Sequence, residues 1–427
     1  MDTHEFGRVM RLGLGRAIVH AQQHDVTRYR ELILDACLRC YAYDLPSEGT
    51  RAAYMLDLLE FTPYKESCCE AVLESLPGSG DDADALQRFR FATLLSLDGD
   101  ARAKRLMYEA YRPGPRHGAG IGIGFMQVDG LAGFLFAARG LAALLAEDPQ
   151  PDIGWLQHAA EERLGSDAVQ EALRRAAERD PAIRRYHSAA LASVGTAGRG
   201  LRPPGVMTAN YRELAPHISG LRRPGAILTS WGREASEADL AAAAHGLLAA
   251  RTAQEQYGHL LIFGERPFPL DLQPLLDLVP VAEQEVGFAA VQALAQVRDR
   301  RVRDLAFRLA AEQSPWRGEA PRLLAENFQA GDHLVGLGWF EAETDDAQRH
   351  RQKLGLLHLI ERRPDREGDA KILHALYERG PCGYCRGFVV SGLLERKLLS
   401  AELRRECAWD SNTEVRELAA GDGTAPS

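Results

Sequence analysis

Apolar residues recur along this chain at helical spacing. In RYRELILDACLRCYAY, Leu32, Ile33, Ala36, Cys37 and Cys40 fall on one face at i, i+3 and i+4. DALQRFRFATLLSL, LAAAAHGLLAA, VGFAAVQALAQV and DAKILHALYE carry the same pattern. Strict alternation over the length of a strand is nearly absent. The periodic segments run for roughly 10–20 residues and are punctuated by Asp, Gly and Pro, which supply caps and breaks. This pattern predicts an all-α fold. Two stretches interrupt it: RPGPRHGAGIGIG (112–124), and the Gly- and Pro-rich segment 193–235 with one short helix-like piece at 211–218.

Several predicted helices begin alike. DPAIR, EQEVG, DRRVR and NTEVR place Asp180, Glu283, Asp299 or Asn412 three residues before Ile183, Val286, Val302 or Val415, and Arg follows in three of the four. Asp or Asn satisfies the free N–H groups of a helix start, and an acid there suits the helix dipole. The β-branched residue one turn later points inward. In LLIFGERPFPLDLQPLLDLV, Pro267 and Pro269 stop one helix, while Asp271 and Pro274 suit the start of the next.

These starts resemble the D-x-x-V-R helix starts of HEAT-type α-solenoid repeats. The resemblance is clearest over 280–315, extends over 340–420 and fades in the first half. The chain overall resembles bacterial HEAT-like proteins, and the resemblance implies a fold without implying an activity. The expected architecture is an irregular α-solenoid of stacked antiparallel helix pairs. An N-terminal helical array over 1–192 and a C-terminal HEAT-like array over 236–420 are joined by the connection 193–235, and 421–427 is read as a frayed tail.

Composition narrows the function classes. The net charge of −9 argues against a wide phosphate-binding surface. The basic runs RDRRVR, LRRP, ERRPDR and ELRREC are interleaved with acids or lie at helix ends, as solvated faces do. The longest apolar run, 130–146, carries Arg139 and reads as a core helix rather than a membrane span. MDTHEFGRVM lacks the basic-then-apolar order of a signal peptide, so a cytoplasmic location with reduced thiols is expected.

GPCGYCRGF holds Cys382 and Cys385 in C-x-x-C spacing. Laid on the repeat, Cys382 takes the Asp slot, Cys385 the Val slot and Arg386 the Arg slot. Phe388, Val389 and Leu393 take the apolar positions that follow. On that reading Cys385 is a small core residue and Cys382 a poor cap. A zinc reading adds Cys407 and His374 as the remaining ligands of a Cys3His site. A redox reading draws on the helix start lowering the Cys382 pKa, but no βαβ context accompanies it.

YDLPSEGTRAAY gathers Asp44, Glu48, Arg51 and Tyr54 around a helix start that Ser47 can cap, and these four are the candidate binding residues. HGAGIGIGF fails the G-x-G-x-x-G pattern at Phe125, lacks a following Lys-Ser/Thr and reads as a flexible loop. His20 and His24 lack an H-E-x-x-H frame and read as a solvated helix end.

No catalytic constellation stands out. The expectation is a non-catalytic scaffold or adaptor without a cofactor, binding a protein or peptide on a helical-repeat surface. The first alternative is a nucleic-acid-binding or base-excision enzyme resembling HEAT-like alkyl-base DNA glycosylases, which combine a basic groove, an aromatic pocket and a carboxylate. Trp155, Trp231, Trp316, Trp339 and Trp409 are scattered, and the charge is of the wrong sign. The second alternative is a zinc- or redox-responsive interaction module around Cys382.

Overall fold

The computed structural model describes residues 1–77, 82–114, 117–145, 154–197, 209–221, 224–280, 283–312, 314–364 and 366–421. Helix makes up 75% of the described residues, and no strand occurs among them. The start signals act as their chemistry suggests. Asp180 Oδ1 accepts from the N–H of Ala182 at 2.9 Å, Asp299 Oδ1 from Arg301 at 2.8 Å, and Asn412 Oδ1 from Glu414 at 2.9 Å. Glu283 stands at a helix start without making such a bond. Ile183, Val286, Val302 and Val415 are all buried.

Two compact units divide the chain, at one place inside the Gly- and Pro-rich segment 193–235 and at another, 381–382, that falls within the expected C-terminal array. The first comprises Met1–Gly198 together with Cys382–Ser427, and the second Arg199–Pro381. Residues 382–420, expected to end a C-terminal array, therefore fold with the N-terminal helices. The reason is a set of polar ties within the first unit. Arg16 Nε lies 2.9 Å from Glu406 Oε2, Arg416 Nη2 lies 2.8 Å from Asp57 Oδ2, and the Ser411 N–H donates to the Gly13 carbonyl at 2.9 Å.

The segment 193–235 is likewise more than a connection. Tyr211–Leu214 and Pro224–Glu234 are helical, and Trp231 is buried in the second unit with Nε1 donating to the Ala209 carbonyl at 2.8 Å. Residues 198–208 lie outside the described residues, as do 422–427 of the expected tail.

The glycine run is helix, not loop. Gly118–Leu144 is helical, with a break where Asp129 and Gly130 leave helical angles, Gly130 at φ +57° and ψ −131°. The glycines are there for close approach. A Cβ on Gly124 would stand 2.4 Å from Thr93 Oγ1, and one on Gly133 would stand 2.0 Å from the Phe125 carbonyl oxygen. The break divides the most apolar helix into two pieces. Each is too short for a hydrocarbon layer of about 30 Å, and Phe125, Phe134 and Leu141 are buried in the core of the first unit.

In the second unit, neighbours in sequence pack together. Pro224–Glu234 lies on Ala253–Ile262, which lies on Gln284–Leu294, and Asp332–Ala342 lies on both Asp346–Arg362 and Arg366–Arg379. Arg303 reaches from its own helix to Asp332, with Nη2 2.8 Å from Oδ1, and its Nη1 donates to the Asn327 carbonyl at 3.0 Å.

Candidate functional site

The four residues that the sequence groups at 44–54 do lie together, but most of their polar atoms are engaged within the first unit. Asp44 precedes the single turn Leu45–Glu48. Its N–H donates to Glu48 Oε1 at 2.8 Å, and Ser47 Oγ donates to its carboxylate at 2.7 Å. Ser47 thus braces Asp44 instead of capping the helix. Glu48 Oε2 lies 2.6 Å from Arg51 Nη2 in a buried ion pair. Arg51 also donates to Ser411 Oγ through Nη1 and to Gln87 Oε1 through its backbone N–H at 2.8 Å. The Tyr54 hydroxyl donates to the Leu14 carbonyl at 2.8 Å, and burial pushes its pKa far up. Arg51 and Tyr54 hold chain segments together, whereas the turn 45–50 presents a wall.

That wall faces a cleft of about 760 Å³ within the first unit. Pro46, Leu86, Phe89, Ile121, Ile123 and Trp155 give it an apolar lining, and Gly120 and Gly124 lie along one side. Trp155 is 49% exposed. The volume and the lining suit an organic ligand or a short peptide segment. One cation stands on the wall. Arg90 Nη1 donates to Gln127 Oε1, and no carboxylate among the described residues pairs with it. Burial, with Arg163 adding like-charge repulsion, pulls the Arg90 pKa down. Sequence reading missed Arg90 and Gln127, because only the packing of Ala83–Leu97 against Gly118–Leu144 brings them together. The available signal was the glycine spacing, which permits that approach.

Cys382, Cys385 and Cys407 all belong to the first unit and are buried. Cys382 stands two residues before the helix Tyr384–Glu395, where its Sγ accepts the Cys385 N–H at 3.4 Å, a sulfur cap on the first turn. Cys385 is 6% exposed, among Val389, Val390 and Leu393 on the inward face. Phe388, assigned to that face by the repeat, is instead half exposed and packs edge-on to Tyr384 at 5.6 Å. His374 lies in the second unit and is exposed. Elsewhere in the first unit, the Cys37 thiol is raised well above its ordinary pKa by its hydrogen bond with Cys68 and by burial.

The second unit holds a smaller pocket of about 300 Å³, lined by Phe288, Gln292, Trp316, Glu319, Arg322 and Arg351 among others. The Phe288 and Trp316 rings lie 6.1 Å apart, with the Arg351 guanidinium 5.9 and 5.8 Å from their centroids. Glu319 is buried. Its Oε2 accepts from Gln292 Nε2 at 2.9 Å and lies 3.5 Å from Arg322 Nε. Burial raises its pKa despite the two nearby arginines. This grouping was not legible in the sequence, where Phe288 and Arg351 stand on separate helices and Trp316 in a turn between them. A larger groove in the same unit, about 970 Å³, is bordered by Arg301, Asp304, Arg308 and Glu312. Arg301 is already paired there with Asp271 and Asp299.

No family model, no curated protein and no solved structure matches the chain.

Proposed function

We propose that this is a non-catalytic cytoplasmic binding protein, an irregular α-solenoid in design, that takes a peptide segment of a partner protein in the cleft of its first unit. One observation carries the reading: the cleft of about 760 Å³ joins an apolar wall and a half-exposed Trp155 to a polar side that includes Glu48, Thr50, Arg90, His117 and Asn412. That combination is what recognition sites present, and large aromatics supply most of the binding energy at such sites. The second unit, with its sequential helix packing, serves as scaffold. Panning a random peptide library against the purified chain tests the proposal. Selected peptides should bind wild type and lose at least tenfold in affinity on Trp155→Ala or Thr50→Arg, with melting temperatures unchanged. Peptides that bind both variants as tightly as wild type would sink the proposal.

A base-excision reading is favoured by a different observation, the buried Glu319 beneath Phe288, Trp316 and Arg351. Aromatic walls with a carboxylate are two of the three features of HEAT-like glycosylases, while the net charge of −9 weighs against the third, a basic groove. Release of an alkylated base from duplex DNA, abolished by Glu319→Gln, would move this reading ahead of the first.

A further inference from the structure

The charge pattern around the cleft goes further than its shape. In the first unit, several partly or wholly buried guanidiniums are matched with acids, Arg51 with Glu48, Arg386 with Asp410, Arg16 with Glu406 and Arg416 with Asp57, whereas the half-buried Arg88 and Arg404 meet no carboxylate among the described residues. Arg90 likewise has no acid partner among the described residues, and unlike those two it lines the cleft. It is half-buried there, its hydrogen-bond partner among the described residues is the neutral Gln127, and the charged group that acts on it is another cation, Arg163. Arg88, two residues earlier on the same helix, does not line the cleft. A cation taken out of water without a counter-charge is costly, and the cost is recovered when an anion arrives.

We infer that the peptide recognised in this cleft presents a carboxylate to Arg90 beside an apolar or aromatic side chain that packs against Trp155, an inference that rests on the cleft being the recognition site. A carboxylate fits better than a phosphate. One guanidinium offers two parallel N–H donors, which match two carboxylate oxygens, whereas phosphopeptide sites gather several arginines. Gln127 holds the guanidinium from one side and leaves the remaining donors for the ligand. The walls at Phe89 and Ile121 are apolar, so the ion pair forms in partly desolvated surroundings where it is strong. The carboxylate comes from an Asp or Glu side chain or from a chain terminus, and both present the same two oxygens.

The test uses octapeptides from a random library, anchored at the N-terminus and made once with a free C-terminal acid and once as the C-terminal amide. They are measured against the full chain and its Arg90→Gln, Arg90→Lys and Trp155→Ala variants. Peptides retained by wild type should carry Asp, Glu or a free C-terminus next to a large apolar residue. Arg90→Gln should weaken them at least tenfold, Arg90→Lys should retain part of the affinity, and added salt should weaken binding to wild type more than to Arg90→Gln. Loss of binding only in the amide series assigns the carboxylate to the chain terminus; equal binding in both series assigns it to a side chain. Binding that falls with Trp155→Ala but changes less than twofold with Arg90→Gln would overturn the carboxylate inference and leave the cleft reading standing. Binding that ignores both substitutions, or no binding at all by wild type, would overturn both.

Discussion

Arg386 and Asp410 face each other with Nε 2.9 Å from Oδ2, and their side chains are 1% and 0% exposed. Arg386 Nη2 also donates to the Leu12 carbonyl at 2.8 Å, and Asp410 Oδ1 accepts the Asn412 N–H at 2.9 Å. One buried pair thus fastens the segment after residue 382 to the first helix of the chain.

Removing one partner leaves the other charge buried without compensation. Asp410→Leu or Arg386→Met should each cost about 3–5 kcal/mol. Asp410→Leu combined with Arg386→Met should cost markedly less than the sum of the two single changes. Urea unfolding of the three variants in a double-mutant cycle measures this.

The two cysteines of GPCGYCRGF should respond differently. Cys385→Val restores the residue type used at the equivalent place in other helices and should change stability by less than about 1 kcal/mol, with metal content per chain unaltered. Cys385→Asp should cost several kcal/mol, about the penalty of an unpaired buried charge. Cys382 is only 1% exposed, so an Asp cap there would be buried too. Cys382→Ser, which keeps a small acceptor for the Cys385 N–H, should be tolerated better than Cys382→Asp. Thermal melts and elemental analysis decide both points.

Glu319 predicts a pH dependence with a definite sign. Burial favours its protonated form, so its folded pKa lies above the ordinary 4.5. Between those two values the native state holds more protons than the unfolded state, and stability therefore falls as pH rises through the window. Glu319→Gln should remove this contribution, so the variant should gain on wild type at pH 7 relative to pH 4. A gap that is the same at both pH values would contradict the assignment.

Gly130 has backbone angles that residues with a Cβ rarely adopt. Gly130→Ala should cost about 1–3 kcal/mol. Gly165, at φ +90°, should respond in the same direction. Differential scanning calorimetry of the two variants checks this.

At the cleft, the sequence exposed the parts and hid the arrangement. The glycines of 118–124 were visible but read as a loop, because glycine is a poor helix former by itself. Packing overrode that preference: the helix is held by neighbours that need the missing Cβ, such as Thr93 against Gly124. Asp44, Glu48, Arg51 and Tyr54 were legible as a cluster because they are close in sequence. That Arg51 and Tyr54 serve as internal ties depends on Ser411 and Leu14, which no local pattern connects to them.

What the sequence by itself determined was helix. Period, caps and breakers act over a few residues, so they are written locally, and the ends at Asp180, Asp299 and Asn412 sit where the cap chemistry puts them. Which helices belong to one unit was decided by tertiary structure. The local signals for the helix at 384–395 are the same whether it closes a C-terminal array or joins the N-terminus. The choice falls to contacts between residues hundreds of positions apart, among them Arg386 with Leu12 and Arg16 with Glu406. Arg90 is of the same kind: a charge is visible in a sequence, but that no carboxylate among the described residues meets it is a property of the fold.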